Sequence, residues 1–108
     1  MKVAVGCDHG GFVLKDAVIS TLEELGAQVV DMGTYSTESV DYPVYGKKVA
    51  DAVANGECDL GVVMCGTGIG ISIAANKVKR IRAAVVTDEF MAEMTRRHNN
   101  ANIIALGG

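Results

Sequence analysis

Apolar positions along this chain follow two alternating patterns. Short β-branched runs are separated by longer stretches in which apolar residues recur every three or four positions. "KVAV" (2–5) predicts a first strand. The stretch after it places Leu14, Val18, Leu22 and Leu25 on one helical face, with Gly26 as a C-terminal stop. "AQVVDM" (27–32) reads as a second strand and "GTYSTESVDY" (33–42) as a polar loop. Pro43 stands where proline is favoured in a first helical turn, and Tyr45, Val49, Ala52 and Val53 continue a helical face. "LGVVMC" (60–65), apolar at every position, has the character of a buried parallel strand. "IGISIAANK" opens a third helix and "RAAVVT" (82–87) predicts a fourth strand. Asp88 is placed to cap a fourth helix carrying Phe90, Met91 and Met94, and "NIIAL" (102–106) predicts a fifth strand.

Five strands alternating with helices define an α/β chain: a five-stranded parallel sheet covered on both sides, with ligands at the carboxyl ends of its strands. The sequence stops at Gly107-Gly108, directly after the last strand, where a covering helix is expected. The expectation is therefore a domain short of its C-terminal helix, or a last strand covered by another chain.

Composition narrows the class. A chain of 108 residues fits a single domain, 1–108, and 49% apolar with 21% charged residues is ordinary for a compact soluble protein. A net charge of -3 gives no reason to expect nucleic acid; the basic run "KVKRIR", Lys77 to Arg82, reads as a solvated helix end or loop. No apolar run nears the ~20 residues that cross a bilayer, so no membrane is expected, and "MKVAVGCDHG" lacks the form of a signal peptide. Cys7, Cys58 and Cys65 are an odd number with no CxxC pair, which fits a reducing, cytoplasmic setting better than a disulfide framework.

The informative polar residues cluster at strand ends. "CDHGG" (7–11) follows the first strand and "CGTGIG" (65–70) the third, so in a parallel sheet Asp8, His9 and Cys65 emerge on one edge. "RRHNNAN" (96–102) follows a helix and precedes a strand. That order puts His98 and Asn99 at the opposite edge of their own subunit, and reaching the cleft requires a second chain or a leaning helix end. Gly66, Gly68 and Gly70 leave backbone N–H groups unobstructed in front of a helix, an arrangement suited to an anion or to a tight turn alone. Their spacing matches neither the dinucleotide fingerprint nor the lysine-bearing phosphate loop. Cysteine is often only a small buried apolar residue, the reading given to Cys7 and Cys58, whereas Cys65 alone precedes a helix N-terminus, where a thiolate is stabilised. Spacing leaves the roles of His9 and His98 open, and no metal-ligand spacing occurs.

Together "GCDHGG", "DYP", "CGTGIGISIAANK" and "RRHNNANIIALGG" resemble the type B ribose-5-phosphate isomerases and the related galactose-6-phosphate and allose-6-phosphate isomerases, over the whole chain. The resemblance implies a Rossmann-like α/β/α sandwich acting as a homodimer or tetramer, with each active site shared between subunits. It implies interconversion of a phosphorylated aldose and its ketose, such as ribose 5-phosphate and ribulose 5-phosphate, through a cis-enediolate without metal or organic cofactor. Carried over by position, Cys65 is similar to the base that moves a proton between C1 and C2, and Thr67 to the hydroxyl acting at the substrate oxygens. The amides from Gly66 through Gly68 and Ile69 to Gly70 are similar to an anion hole. His98 matches the ring-opening residue and Asn99 its neighbour on the substrate. Asp8 and His9 match contacts to sugar and phosphate, and Asp41 and Tyr42 further substrate contacts. Cysteine instead of glutamate at 65 is the mark of one branch of the family. Family members continue past the "GG" with arginines and a helical segment, so the resemblance also implies truncation at the C-terminus. Two other classes compete: a non-catalytic phosphosugar- or nucleotide-binding module, and a structural or regulatory remnant of the same fold.

Overall fold

The computed structural model describes residues 1–108. Nine elements follow in order: β1 (Lys2–Cys7), α1 (Phe12–Glu24), β2 (Gln28–Asp31), α2 (Tyr42–Ala54), β3 (Leu60–Cys65), α3 (Ile69–Asn76), β4 (Ala83–Val85), α4 (Glu89–Asn99) and β5 (Ile103–Gly107). The strands form one parallel sheet in the order β2-β1-β3-β5-β4. β1 and β3 lie side by side with Val5 opposite Val62 and Cys7 opposite Met64, and β3 carries Cys65 to the level of Gly107 in β5.

The expected layers are present. Ala4, Val63 and Cys65 point to the face covered by α2 and α3, where they meet Val49, Ile71 and Ala75. Val3, Val5, Cys7, Val62 and Met64 point to the other face, against Phe12, Val18, Ile19 and Leu22 of α1. Burying each Val, Leu, Ile, Phe or Met among them contributes roughly 1.5–3 kcal/mol, which makes the two central strands the rigid base of everything at their carboxyl ends. Right-handed crossovers put α4 on the α1 face.

Two details differ from the sequence pattern, the length of β4 and the place of Leu25, and a third, the place of β5, adds to it. β4 shrinks to Ala83–Val85 because it lies at the sheet edge, where one side of its backbone has no strand to pair with. β5, the last strand, takes an internal place between β3 and β4, so its edges are both paired and only its α1-side face is bare. That face floors an open groove of about 410 Å³ between α1 and α4, lined by Leu22, Leu60, Val62, Ala92 and Ile104 among others. Leu25 does not join the α1 face: the helix ends at Glu24, the chain turns through Gly26 at φ +86°, and Leu25 stands 78% exposed. No helix is long and apolar enough to cross a membrane.

Candidate active site

In the strand order found here, the connection after β1 runs to one side of the sheet and the connection after β3 to the other, so a crevice opens between the carboxyl ends of β1 and β3. The two loops expected to meet there do meet. The Asp8 amide donates to the Met64 carbonyl at 3.1 Å. A Cβ on Gly10 would sit 3.0 Å from the Gly66 nitrogen, so glycine lets the β1 loop lie flat on the β3 loop.

Cys65 ends β3 with its side chain buried, and its Sγ accepts the Gly68 N–H at 3.1 Å. Gly68 is the N-cap of α3 in a left-handed conformation, φ 79°. A Cβ there would come 2.9 Å from the Leu106 carbonyl carbon. Both constraints demand glycine, and the result aims an amide at the sulfur. The Ile69 amide is likewise taken, by Thr67 Oγ1 at 3.1 Å, which leaves the Thr67 hydroxyl proton free to donate elsewhere. The amides of Gly66, Thr67 and Gly70 have no acceptor within the protein. The glycine turn thus divides its donors: those of Gly68 and Ile69 hold the turn together, and the other three are left unpaired. Tyr42 closes this side, since a Cβ on Gly70 would meet its ring at 2.9 Å.

Asp8 is buried, and its Oδ1 accepts the Gly11 N–H at 3.0 Å, closing the turn after β1. His9 is exposed, and its Nδ1 accepts the Val40 N–H at 3.1 Å. The accepting Nδ1 places the ring proton of the neutral imidazole on Nε2, which is left without a protein partner. Asp41 is the N-cap residue of α2 but makes no side-chain cap bond, so its carboxylate stays free at the rim. Burial pushes the thiols of Cys7 and Cys58 above the ordinary value of 9.0.

His98 and Asn99 are not brought to this crevice within one chain. They end α4 at the amino edge of the sheet, where Asn102 in the following turn accepts the Gly61 amide at the start of β3. Both are exposed. No three His, Cys, Asp or Glu side chains converge as metal ligands do.

One group escaped the sequence reading. Lys15 on α1 is 4% exposed, ion-paired to Asp31 and packed beneath the loop that leads to Asp41. Its signal was a charge inside an apolar stripe: Phe12, Ile19 and Leu22 share its helical face at spacings of three, four and seven.

A parallel α/β chain with a buried thiol beside unpaired amides, at the point where the connections of its sheet reverse direction, has the form of a small-molecule enzyme built for proton transfer next to an oxyanion. Known proteins agree on the family. Residues 3–108 match the Ribose/Galactose Isomerase family, and the chain belongs to it. It is similar to ribose-5-phosphate isomerase B of Escherichia coli (strain K12), 52% identical over 98% of this chain and 71% of that protein. Among solved structures, ribose-5-phosphate isomerase B of Clostridium thermocellum superposes with a TM-score of 0.97 at 60% identity, covering 99% of this chain and 72% of that one. Ribose-5-phosphate isomerase B of Mycoplasma genitalium, solved with bound ribulose-5-phosphate, superposes at 0.90 with 41% identity, over 98% and 71% of the two chains.

Proposed function

We propose that this protein is a cofactor-independent aldose–ketose isomerase acting on ribose 5-phosphate or a closely related phosphorylated sugar. The observation that carries the reading is the juxtaposition of Cys65 Sγ, held by the Gly68 N–H at 3.1 Å, with the unpaired amides of Gly66, Thr67 and Gly70. The names and the bound ribulose-5-phosphate of the relatives support the same substrate class.

The chemistry follows from the groups present. Isomerisation removes a proton from the carbon next to a carbonyl, which requires a base in reach and donors for the oxygen that turns anionic. The Cys65 thiolate takes the C2 proton of the open-chain aldose, the C2–H electrons form the C1–C2 double bond, and the carbonyl oxygen becomes the oxyanion of a cis-enediolate. The free amides of the glycine turn hold that oxygen. Thr67 relays a proton between the two substrate oxygens, and the Cys65 thiol returns its proton to C1, giving the ketose with no net change in protons. Asp8, His9, Asp41 and Tyr42 form the remaining substrate contacts, His9 donating from Nε2 to the phosphorylated sugar.

Ring opening is assigned to His98, with Asn99 beside it on the substrate. Because both lie at the opposite sheet edge, this step is proposed to use the His98 of a second subunit in a homodimer or tetramer. Three unpaired cysteines support a reducing, cytoplasmic setting.

The test is to incubate the protein with ribose 5-phosphate, and in parallel with allose 6-phosphate and galactose 6-phosphate, and to measure ketose formation. Ketose from at least one of them is the expected result. Thermal stabilisation by these phosphosugars with no ketose formed would replace the proposal with a binding module.

A further inference from the structure

Lys15 is the one lysine this fold buries. Its ammonium lies 2.7 Å from Asp31 Oδ1, donates to the Thr34 carbonyl at 2.6 Å and sits 4.3 Å from the centre of the Tyr35 ring. Asp31 Oδ1 also accepts the Gly33 N–H at 3.0 Å, and the Tyr35 hydroxyl donates to the Asp31 carbonyl at 3.1 Å. Every one of these bonds ties down the first residues after β2. At 4% exposure Lys15 cannot itself touch a substrate.

The far end of the same loop reaches the crevice. Val40 donates its N–H to His9 Nδ1 at 3.1 Å, and Asp41 and Tyr42 follow at once. Residues 35–39 between the two tethers are exposed, and beyond the Tyr35 hydroxyl their only side-chain bond is the local one between Ser36 Oγ and the Glu38 amide. Where this stretch ends therefore depends on where it starts. An ammonium has three donors and a charge, so it gathers the Asp31 carboxylate, the Thr34 carbonyl and the Tyr35 ring around one point, which an apolar side chain cannot do.

We propose that Lys15 is a positioning residue for the isomerisation: it fixes the root of the β2–α2 loop so that the Val40 amide meets His9 Nδ1 and keeps the ring proton on Nε2, facing the substrate. This rests on the reading of His9 as a substrate contact. The chain of cause is short. In the other tautomer a ring N–H would confront the Val40 N–H, so the loop selects the tautomer, and Lys15 holds the loop. Removing the ammonium leaves the Thr34 carbonyl, in a residue only 6% exposed, with the weak Cys7 thiol donor at 4.0 Å alone and strips Asp31 of its counter-charge, so the loop root loosens around its remaining backbone bonds to Cys7.

The experiment is a double-mutant cycle on the full chain with ribose 5-phosphate as substrate. Lys15→Met keeps the length and apolar stem of the side chain. It is expected to lower kcat/KM by about tenfold alone and by less than about twofold when added to His9→Ala. Isotope-labelled nitrogen NMR of the His9 ring supplies a second readout that a merely structural lysine would not move, with Lys15→Met expected to reduce the share of the Nε2–H tautomer. Equal losses of kcat/KM in both backgrounds, or an unchanged His9 tautomer, would overturn the proposal. If Lys15→Met does not fold, Tyr35→Leu at an exposed position loosens the same root, and a kinetic loss confined to the chain that retains His9 is again expected; no such confinement overturns the idea. Should His9→Ala turn over normally, the reading of His9 fails separately, and the NMR result alone then decides whether Lys15 sets the ring.

Discussion

Adjacent alternate glycines of the β3–α3 turn should respond to the same methyl group in opposite ways. At Gly68 an alanine must adopt φ 79°. Left-handed backbone costs an L-residue about 1–2 kcal/mol. Its Cβ would also lie 2.9 Å from the carbonyl carbon and 3.1 Å from the carbonyl oxygen of Leu106, both backbone atoms of an internal strand that has little freedom to retreat. Overpacking of that kind costs about 1–3 kcal/mol. Gly68→Ala is therefore expected to lose about 2–5 kcal/mol, a fall in Tm on the order of 10–30 °C for a domain of this size. At Gly66 the φ angle is not left-handed and a Cβ meets no atom within 4 Å. Gly66→Ala should leave stability within about 0.5 kcal/mol. In the proposed mechanism, however, the open space it fills receives the substrate oxygen, so kcat/KM should fall roughly ten- to a hundredfold. Thermal unfolding and steady-state kinetics on the two variants check both halves. An unshifted Tm in Gly68→Ala would refute the strain argument, and normal turnover in Gly66→Ala would show that the substrate does not use this side of the turn.

Iodoacetamide near neutral pH should label Cys65 ahead of Cys7 and Cys58, whose thiols burial holds neutral, and ribose 5-phosphate should slow the reaction; faster labelling of Cys58, read by peptide mass spectrometry, would contradict the assignment. The same two buried thiols predict a pH trend. Their folded values are raised above 9.0, so the stability they contribute is intact below that pH and is lost as pH rises from 9.0 through the folded values. Denaturant titrations in Cys7→Ala and Cys58→Ala should show a shallower alkaline decline than the parent chain, and identical slopes would count against it. His98→Asn should impair turnover of ribose 5-phosphate more than turnover of an open-chain aldose phosphate, because only the cyclic form needs its ring oxygen protonated; equal losses would assign His98 a structural role.

Much of this architecture was legible in the sequence because local rules and tertiary packing agree. "LGVVMC" is buried along nearly its whole length as β3, Asp88 accepts the Met91 N–H at 2.8 Å as an N-cap, and Gly26 turns the chain after α1. Misreadings arose where the outcome depends on partners distant in sequence. Leu25 has the right helical spacing, but the helix stops one residue before it. β5 could not be placed between β3 and β4 from its own residues, since strand order depends on crossovers. At the site, the positions of Cys65 and the glycines were readable, but the division of their amides was not. The Gly68 amide turns to Sγ and the Ile69 amide to Thr67 because of a left-handed residue whose space is set by Leu106 in another strand. Lys15 was overlooked because lysine is ordinarily a surface residue, and its counter-charge at Asp31 lies sixteen residues on, beyond helical periodicity.

The central claim, that Cys65 is the base, is tested most directly by following ribose 5-phosphate in deuterium oxide with the parent chain and with Cys65→Ala. The exchange of a buried thiol for a methyl is small in volume and removes only the acceptor of the Gly68 N–H, so the chain should still unfold cooperatively, with a Tm lowered by the loss of that one bond. The prediction is that Cys65→Ala forms no ribulose 5-phosphate and places no deuterium at C2 above the rate without enzyme, while the parent chain isomerises. Ketose formation or C2 exchange at near-parent rates in Cys65→Ala would contradict it, and the base would have to be sought elsewhere in the crevice.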